Sequence, residues 1–372
     1  MRIVCPKNLL HQATNYVLRA VSGKSGNDIL DNVYLSADAT KGRLTLRGYD
    51  MECGIETVIP ADVQEAGDIL VPARLLGDIA AKLEDGDVTI DCDDSYKTII
   101  TAGKSKFNFM TRPSTDYPSL PEIETTLTFT MPQERLQKLI KQSIIAVSTD
   151  LSRPAFNGIL FNAADNNLEL VAIDGFRLAI SRHEYDERMN KPAENFKLLI
   201  PGKALKMLQP MLGADELLTI KVDSKQVEFN LGDVKLISRL LTNAFMKYEN
   251  LLKNEGDTNI VINRSQFLAG LERMLLIMNV SDRRLPIRLQ SKDENILSID
   301  VVSEKGQAHE DIAISATGKD IDIDYNPTYF TEALRVIEDE TIQINFSGSL
   351  GPCIIKPLSG DEYEFLILPL RR

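Results

Sequence analysis

Several things are scarce in this 372-residue chain, and each scarcity excludes something. No run approaches the roughly 18 consecutive apolar residues that a membrane-spanning helix needs. The opening Met1-Arg2-Ile3-Val4-Cys5-Pro6 has no charged leader followed by an apolar stretch and a small-residue cleavage site, so secretion is not expected. There are four cysteines, Cys5, Cys53, Cys92 and Cys353, far apart and without a Cys-x-x-Cys pair, as for free thiols in a reducing cytoplasm. The three histidines, His11, His183 and His309, show no metal-ligand spacing, and no metal or cofactor is expected. Basic charge is also in deficit. The net charge of −12 argues, taken globally, against nucleic acid.

Catalytic motifs are missing as well. Gly23-Lys24-Ser25-Gly26 echoes a phosphate loop, but Leu18 stands where the first glycine of that loop belongs. No glycine-rich dinucleotide fingerprint or Gly-x-Ser-x-Gly elbow occurs. Asp174 in Ile173-Asp174-Gly175-Phe176 is the most conspicuous carboxylate, yet Asp-Gly after an apolar strand reads as a turn rather than a general base. Phe346-Ser347-Gly348-Ser349-Leu350-Gly351 reads as a turn between strands. No catalytic residue is assigned, and the chain is not expected to be an enzyme.

What the chain does have is internal repetition. Ile3 to Leu10, Phe129 to Leu136 and Ile260 to Phe267 each read as a strand turning into a helix. Pro6 and Pro132 fall in the first helical turn, where a missing N–H costs nothing, and Asn263 takes the equivalent place as a cap. Leu10, Leu136 and Phe267 correspond, a spacing of about 126 to 131 residues. Asn32 to Asp50, Asn157 to Gly175 and Pro286 to Glu304 each read as two strands around a polar turn. A second strand-to-helix step follows at Val71-Pro72, Ile200-Pro201 and Asn326-Pro327, and then further strands. Each third is thus a strand–helix–strands unit said twice. The expected class is α+β, with three domains at 1–122, 123–252 and 253–372.

Six helices are predicted, over 6–22, 72–83, 132–148, 201–212, 263–279 and 327–337. They carry twelve basic residues (Lys7, Arg19, Arg74, Lys82, Arg135, Lys138, Lys141, Lys203, Lys206, Arg264, Arg273 and Arg335) against four acidic ones (Asp78, Glu134, Glu272 and Glu332), a surplus of eight. With −12 overall, the remainder carries −20. Helices favour Glu about as much as Lys and Arg, so the split assigns the helices to a polyanion-facing surface and the strands and loops to an acidic exterior. Global acidity then does not exclude DNA.

With these motifs in order, the chain resembles the bacterial β sliding clamps of DNA polymerase III over its whole length. The most specific parts are Phe156-Asn157-Gly158-Ile159-Leu160-Phe161, Ala172 to Ala179, Val71-Pro72-Ala73-Arg74 and the ending Leu368-Pro369-Leu370-Arg371. The resemblance implies a head-to-tail homodimeric ring, helices inside and sheets outside, around sequence-independent duplex DNA. It implies as partners the polymerase catalytic subunit, the clamp loader and other replication and repair proteins carrying a short clamp-binding peptide, with no membrane. Such peptides would enter a cleft at Phe156, Ile173, Phe176, Arg177, Leu178, Met246, Tyr248, Asn250, Leu251, Leu350, Leu366, Leu368, Pro369, Leu370 and Arg371. For each of these, packing inside the domain core is the competing reading, most directly for Leu251 and Leu350. Leu368 to Leu370 also read as a strand docking on its own sheet.

DNA contacts in the family map to Lys24, Arg153 and Lys203, and the helix count adds Arg74, Lys138 and Lys141. The dimer contact is expected at Phe107 and Phe109 on a late strand of the first domain and at Leu276 and Ile277 late in the first helix of the third. One departure is Phe245-Met246-Lys247-Tyr248, where the family often has Phe-Pro-Asp-Tyr. This implies a looser, more basic rim. A second departure is at Asn250, near which basic residues are common in the family, and this leaves its role open. The alternative function is a repeat scaffold that gathers protein partners without DNA.

Overall fold

Strand-to-helix steps dominate the architecture, and proline or asparagine marks each one. The computed structural model describes residues 1–21, 29–164, 166–214, 216–253, 256–278, 285–293, 295–348 and 350–370. Six α-helices lie among them: α1 (Lys7–Val17), α2 (Ala73–Lys82), α3 (Gln133–Ser143), α4 (Gly202–Leu208), α5 (Arg264–Leu275) and α6 (Pro327–Val336). Pro6 and Pro72 are N-caps in extended or near-extended backbone (ψ 134° and 117°). Pro6 and Pro132 therefore end their strands and stand one residue earlier than expected, outside the first helical turn. Their fixed φ suits the exit from the strand as well as the entry to the helix. Asn263 caps α5 as expected, its side chain accepting from the Gln266 N–H at 3.0 Å. Asn326 does the same for α6 through Thr328 N–H at 3.0 Å, with Pro327 following.

The helices stop earlier than the expected bounds, because their last turns tighten. α1, α3 and α4 each pass into a three-residue 3-10 turn, at Leu18–Ala20, Ile144–Ala146 and Gln209–Met211. In α3 the Ser143 hydroxyl donates to the Leu139 carbonyl at 2.8 Å and competes with the helical ladder. Pro210 removes a donor at the end of α4. Leu276 caps α5, so Leu276 and Ile277 lie just past the helix rather than within it. There the N–H groups of Leu276 and Met278 bond three residues back, to Arg273 and Leu275.

The expected hairpins are present. Asn32–Asp38 pairs with Arg43–Tyr49, Gly158–Ala164 with Asn167–Ile173, and Ile287–Asp293 with Ile296–Ser303, the last with a register shift after Ser291. The strands form sheets of five, nine and twelve members. The nine-stranded sheet joins the first repeat to the second, with Cys53–Pro60 antiparallel to Val234–Arg239. The twelve-stranded sheet joins the second to the third, with Arg177–Glu184 antiparallel to Tyr363–Ile367.

By contacts the chain divides into two compact units. One is Met1–Glu134, Glu187–Ala193 and Lys206–Leu240, and the other Arg135–Asp186, Glu194–Leu205 and Leu241–Arg372. In the first, α1 and α2 approach so closely that a Cβ on Gly77 would stand 2.6 Å from Leu18 Cδ1. In the second, α5 and α6 pack through the edge-on rings of Phe267 and Phe330, 5.6 Å apart. All four cysteines are buried, and burial pushes the thiols of Cys5 and Cys353 up to about 12.

Candidate functional site

Within the second unit, the strand Arg177–Glu184 begins after a tight turn. Gly175 is left-handed (φ 96°), and Asp174 Oδ1 accepts the N–H groups of Phe176 at 2.9 Å and Arg177 at 3.0 Å. Asp174 is therefore a turn residue, as its sequence context suggested. The turn leaves Phe176 exposed while the next apolar residue, Leu178, enters the core. Directly opposite Leu178 in the ladder is Leu366. Below them lies a buried apolar cluster that includes Leu160, Val171, Ile173, Ile180, Leu199, Tyr248 and Ile354, with Phe156 and Phe245 packed against its side.

Above this floor the last residues of the chain continue the strand line. Leu368 N–H donates to the Phe176 carbonyl at 2.9 Å, and Leu370 N–H to the Asp324 carbonyl at 2.8 Å. Pro369, between them, has no N–H to place. Leu368 is 39% exposed, Met246 38%, Leu251 38%, Phe176 57% and Leu350 84%. Five large apolar side chains from the site predicted in the sequence thus remain in water. For Leu251 and Leu350 this rejects the core-packing reading. Leu178, Ile173, Leu366 and Tyr248 are floor, and Asn250 is exposed. Arg371 lies outside the described residues.

The polar residues around the cleft are held by one another. Arg177 Nε donates to Asp174 at 3.0 Å, its Nη1 to Glu332, and its guanidinium lies 4.6 Å from the centre of the Tyr329 ring. Burial pushes the Tyr329 phenol up, reinforced by the charge of Asp174. Arg177 is thus held in place between Asp174, Glu332 and the Tyr329 ring. Tyr248 donates its hydroxyl to Glu169, and Asn162 Nδ2 reaches the same hydroxyl at 3.4 Å. Burial, and then the Glu169 bond, push the Tyr248 phenol well above its usual range. Glu169 also accepts from Arg182 Nε at 2.6 Å, and Arg182 Nη2 reaches Glu364 at 3.1 Å. Burial works against the charge of Arg182, but Glu169 and Glu364 more than offset it.

Asn162, Glu169, Arg182 and Glu364 were not singled out in the sequence. Their signal was there: polar residues at intervals within strands that are otherwise apolar.

The basic residues divide unevenly. Arg74, Lys138, Lys141, Arg153 and Lys203 are all exposed, and Lys24 lies outside the described residues. Lys138 meets Glu338 at 3.3 Å. Among the described residues, Arg74, Lys82, Lys141 and Lys206 make no ion pair. The third repeat differs. Arg264 donates to the carbonyls of Asp339 and Leu334, Arg273 Nε meets Glu310 at 2.8 Å, and Arg335 meets Glu272 at 2.7 Å. The helical surplus of eight is therefore carried mainly by the first two repeats. Of the residues expected at a dimer contact, Phe107 and Leu276 are exposed at 36% and 76%, and Phe109 and Ile277 are half-buried.

Family models for the N-terminal, central and C-terminal domains of the DNA polymerase III beta subunit match residues 1–121, 130–247 and 249–371. The chain belongs to the DNA polymerase III beta subunit family and is built of three clamp domains. It is 30% identical to the beta sliding clamp of a Synechocystis species, covering 100% of this chain and 99% of that one. It superposes on the sliding clamp of Bacillus subtilis with a TM-score of 0.92 at 29% identity, over 100% of this chain and 99% of that one. A sliding clamp from Bartonella birtlesii solved bound to griselimycin gives 0.90 at 26% identity, with both chains covered in full. No described helix is long and apolar enough to cross a membrane.

Proposed function

We propose that this chain is a processivity clamp. Two copies close head to tail into a ring around duplex DNA and tether the replicative polymerase through the cleft beside the C-terminal strand. The observation that carries this reading is the exposed apolar surface beside the C-terminal strand. A chain end is bonded alongside Phe176, with Leu368, Phe176, Met246 and Leu251 left in water around a buried apolar floor. Such a surface suits a short extended peptide with one or two bulky apolar anchors. Burying one Leu or Phe side chain contributes about 1.5–3 kcal/mol. One or two such anchors supply at most about 6 kcal/mol, so a single peptide binds no more tightly than the micromolar range of about −8 kcal/mol, weak enough for partners to exchange. The clamp loader and other replication and repair proteins would share the site.

The three clamp domains divide at 1–122, 123–252 and 253–372. Arg74, Lys138, Lys141, Arg153 and Lys203, with Lys24, face the phosphate backbone and attract it without reading sequence. Phe107 and Phe109 of one copy meet Leu276 and Ile277 of the other. The chain performs no catalysis of its own and works in the cytoplasm.

Loading onto plasmid circles tests the encirclement. The loaded protein is expected to survive a high-salt wash on closed circles and to be lost once the circle is cut. Equal retention on linear and circular DNA would favour the reading of a scaffold without topological hold and overturn this one.

A further inference from the structure

The first repeat contains the same turn and seam as the cleft. Asp50 Oδ1 accepts the N–H groups of Glu52 at 3.0 Å and Cys53 at 2.7 Å, as Asp174 does for Phe176 and Arg177. Met51 is left-handed (φ 74°), as is Gly175 (φ 96°). Arg239 N–H donates to the Glu52 carbonyl at 3.0 Å, just as Leu368 N–H donates to that of Phe176. In the ladders, Gly54 faces Ile237 where Leu178 faces Leu366. Tyr117 of the first repeat stands where Tyr248 stands in the second, each buried and each followed three residues on by a leucine, Leu120 and Leu251.

The two sites differ in what fills them. At Leu178 the floor carries its own leucine, and Leu251 stays in water. At Gly54 the floor has no side chain, and Leu120 enters the gap. A Cβ on Gly54 would stand 2.2 Å from Leu120 Cδ2. Leu120 packs against a cluster of Tyr49, Leu70, Tyr117, Ile29 and Tyr34, in which the rings of Tyr34 and Tyr117 stack 5.7 Å apart. The segment that delivers it, 118–126, has no regular secondary structure up to its last residues. Its far end is bonded through Thr126 to the Val222 carbonyl, and Leu120 packs the middle of it against the cluster.

We propose that the first repeat holds a closed counterpart of the partner cleft, in which Leu120 takes the place of a partner's apolar anchor. The pocket would accept a short extended peptide with a leucine-like side chain once Leu120 is withdrawn. The class of ligand rests on the cleft reading above. The occupant already in place is independent of it. The rim here is polar, with Glu52 and Arg239 at the positions of Phe176 and Leu368, so a peptide loses rim contacts that the open cleft supplies. Its affinity should be roughly tenfold or more below that of the cleft. One open cleft per chain, rather than two, is the consequence.

The probe is a synthetic peptide with the sequence of residues 116–122, titrated into the full-length protein with methyl-labelled isoleucine and leucine. In Leu120→Ala the methyl signals of Ile29 and Leu70 are expected to shift on titration. In the wild type and in Leu120→Met, where the gap stays filled, they should not. Unchanged signals in the alanine variant, with the rest of the spectrum native, would overturn the proposal, and so would equal shifts in the wild type. Because these reporters sit in the first repeat, a misplaced partner cleft leaves the result unaffected. Gly54→Ala supplies a second arm. Its new methyl group should expel Leu120 and make 118–126 cleavable by protease several-fold faster; protection equal to wild type counts against the idea.

Discussion

Tyr248, on the floor of the proposed partner cleft, donates its hydroxyl to Glu169, a carboxylate that Arg182 also holds at 2.6 Å. The pair ties the apolar floor to the polar residues beside it on the same face of the sheet. Tyr248→Phe keeps the ring and removes the bond, leaving Glu169 one donor short. Chemical denaturation should show a loss of about 1–3 kcal/mol. Titration with a polymerase-derived peptide should show a few-fold weaker binding. No change in either would mean that the hydrogen bond does not position the ring.

Alkaline pH provides a second test. Burial raises the phenols of Tyr248, Tyr325 and Tyr363 in the folded chain, whereas in the unfolded chain they titrate near 10. A raised folded value makes the contribution complete below the unfolded pKa, with loss as pH rises towards the folded one. Denaturation midpoints should therefore be flat with respect to these groups from pH 7 to about 9 and fall above about 10. Tyr248→Phe should fall less steeply there than the wild type.

Removing Leu368 to Arg372 takes away the Leu368–Phe176 and Leu370–Asp324 backbone bonds. Each is worth about 1 kcal/mol. The strand Tyr363–Ile367 stays paired on both sides. The truncated chain should remain folded and dimeric, load on DNA, and fail to bind the peptide. Unfolding, or a fall to monomers, would make the tail structural first. Undiminished binding would move the cleft elsewhere.

Changing Leu276 and Ile277 together to glutamate places two charges just past α5. Leu276 is largely in water in the single chain, so the fold should tolerate its change. Sedimentation at micromolar concentration should then report folded monomers. A persistent dimer would put the ring contact elsewhere.

Much of this was legible in the sequence, because the cues were local. Asp174-Gly175 encoded its turn through side-chain geometry, and Asn263 encoded its cap. The cleft could be proposed from Leu178 and Leu368 because the family motif lies in contiguous residues. What stayed hidden depends on partners distant in the chain. Nothing near Arg177 in sequence announces Glu332, and nothing near Arg273 announces Glu310, so the carboxylates that hold these arginines stayed hidden. The early helix ends follow from Ser143 bonding back to Leu139 and from Pro210 at the close of α4. A pattern of apolar spacing does not register either.

The joints between repeats, Cys53–Pro60 with Val234–Arg239 and Arg177–Glu184 with Tyr363–Ile367, are made by backbone groups. Every residue except proline brings the same amide and carbonyl to such a joint. Evolutionary drift can therefore replace nearly any outward-facing side chain along it without unfastening one repeat from the next. A lineage is left free to remodel its partner surface while inheriting the frame, and superposition on the Bacillus subtilis clamp at 0.92 with 29% identity is the expected trace of that freedom.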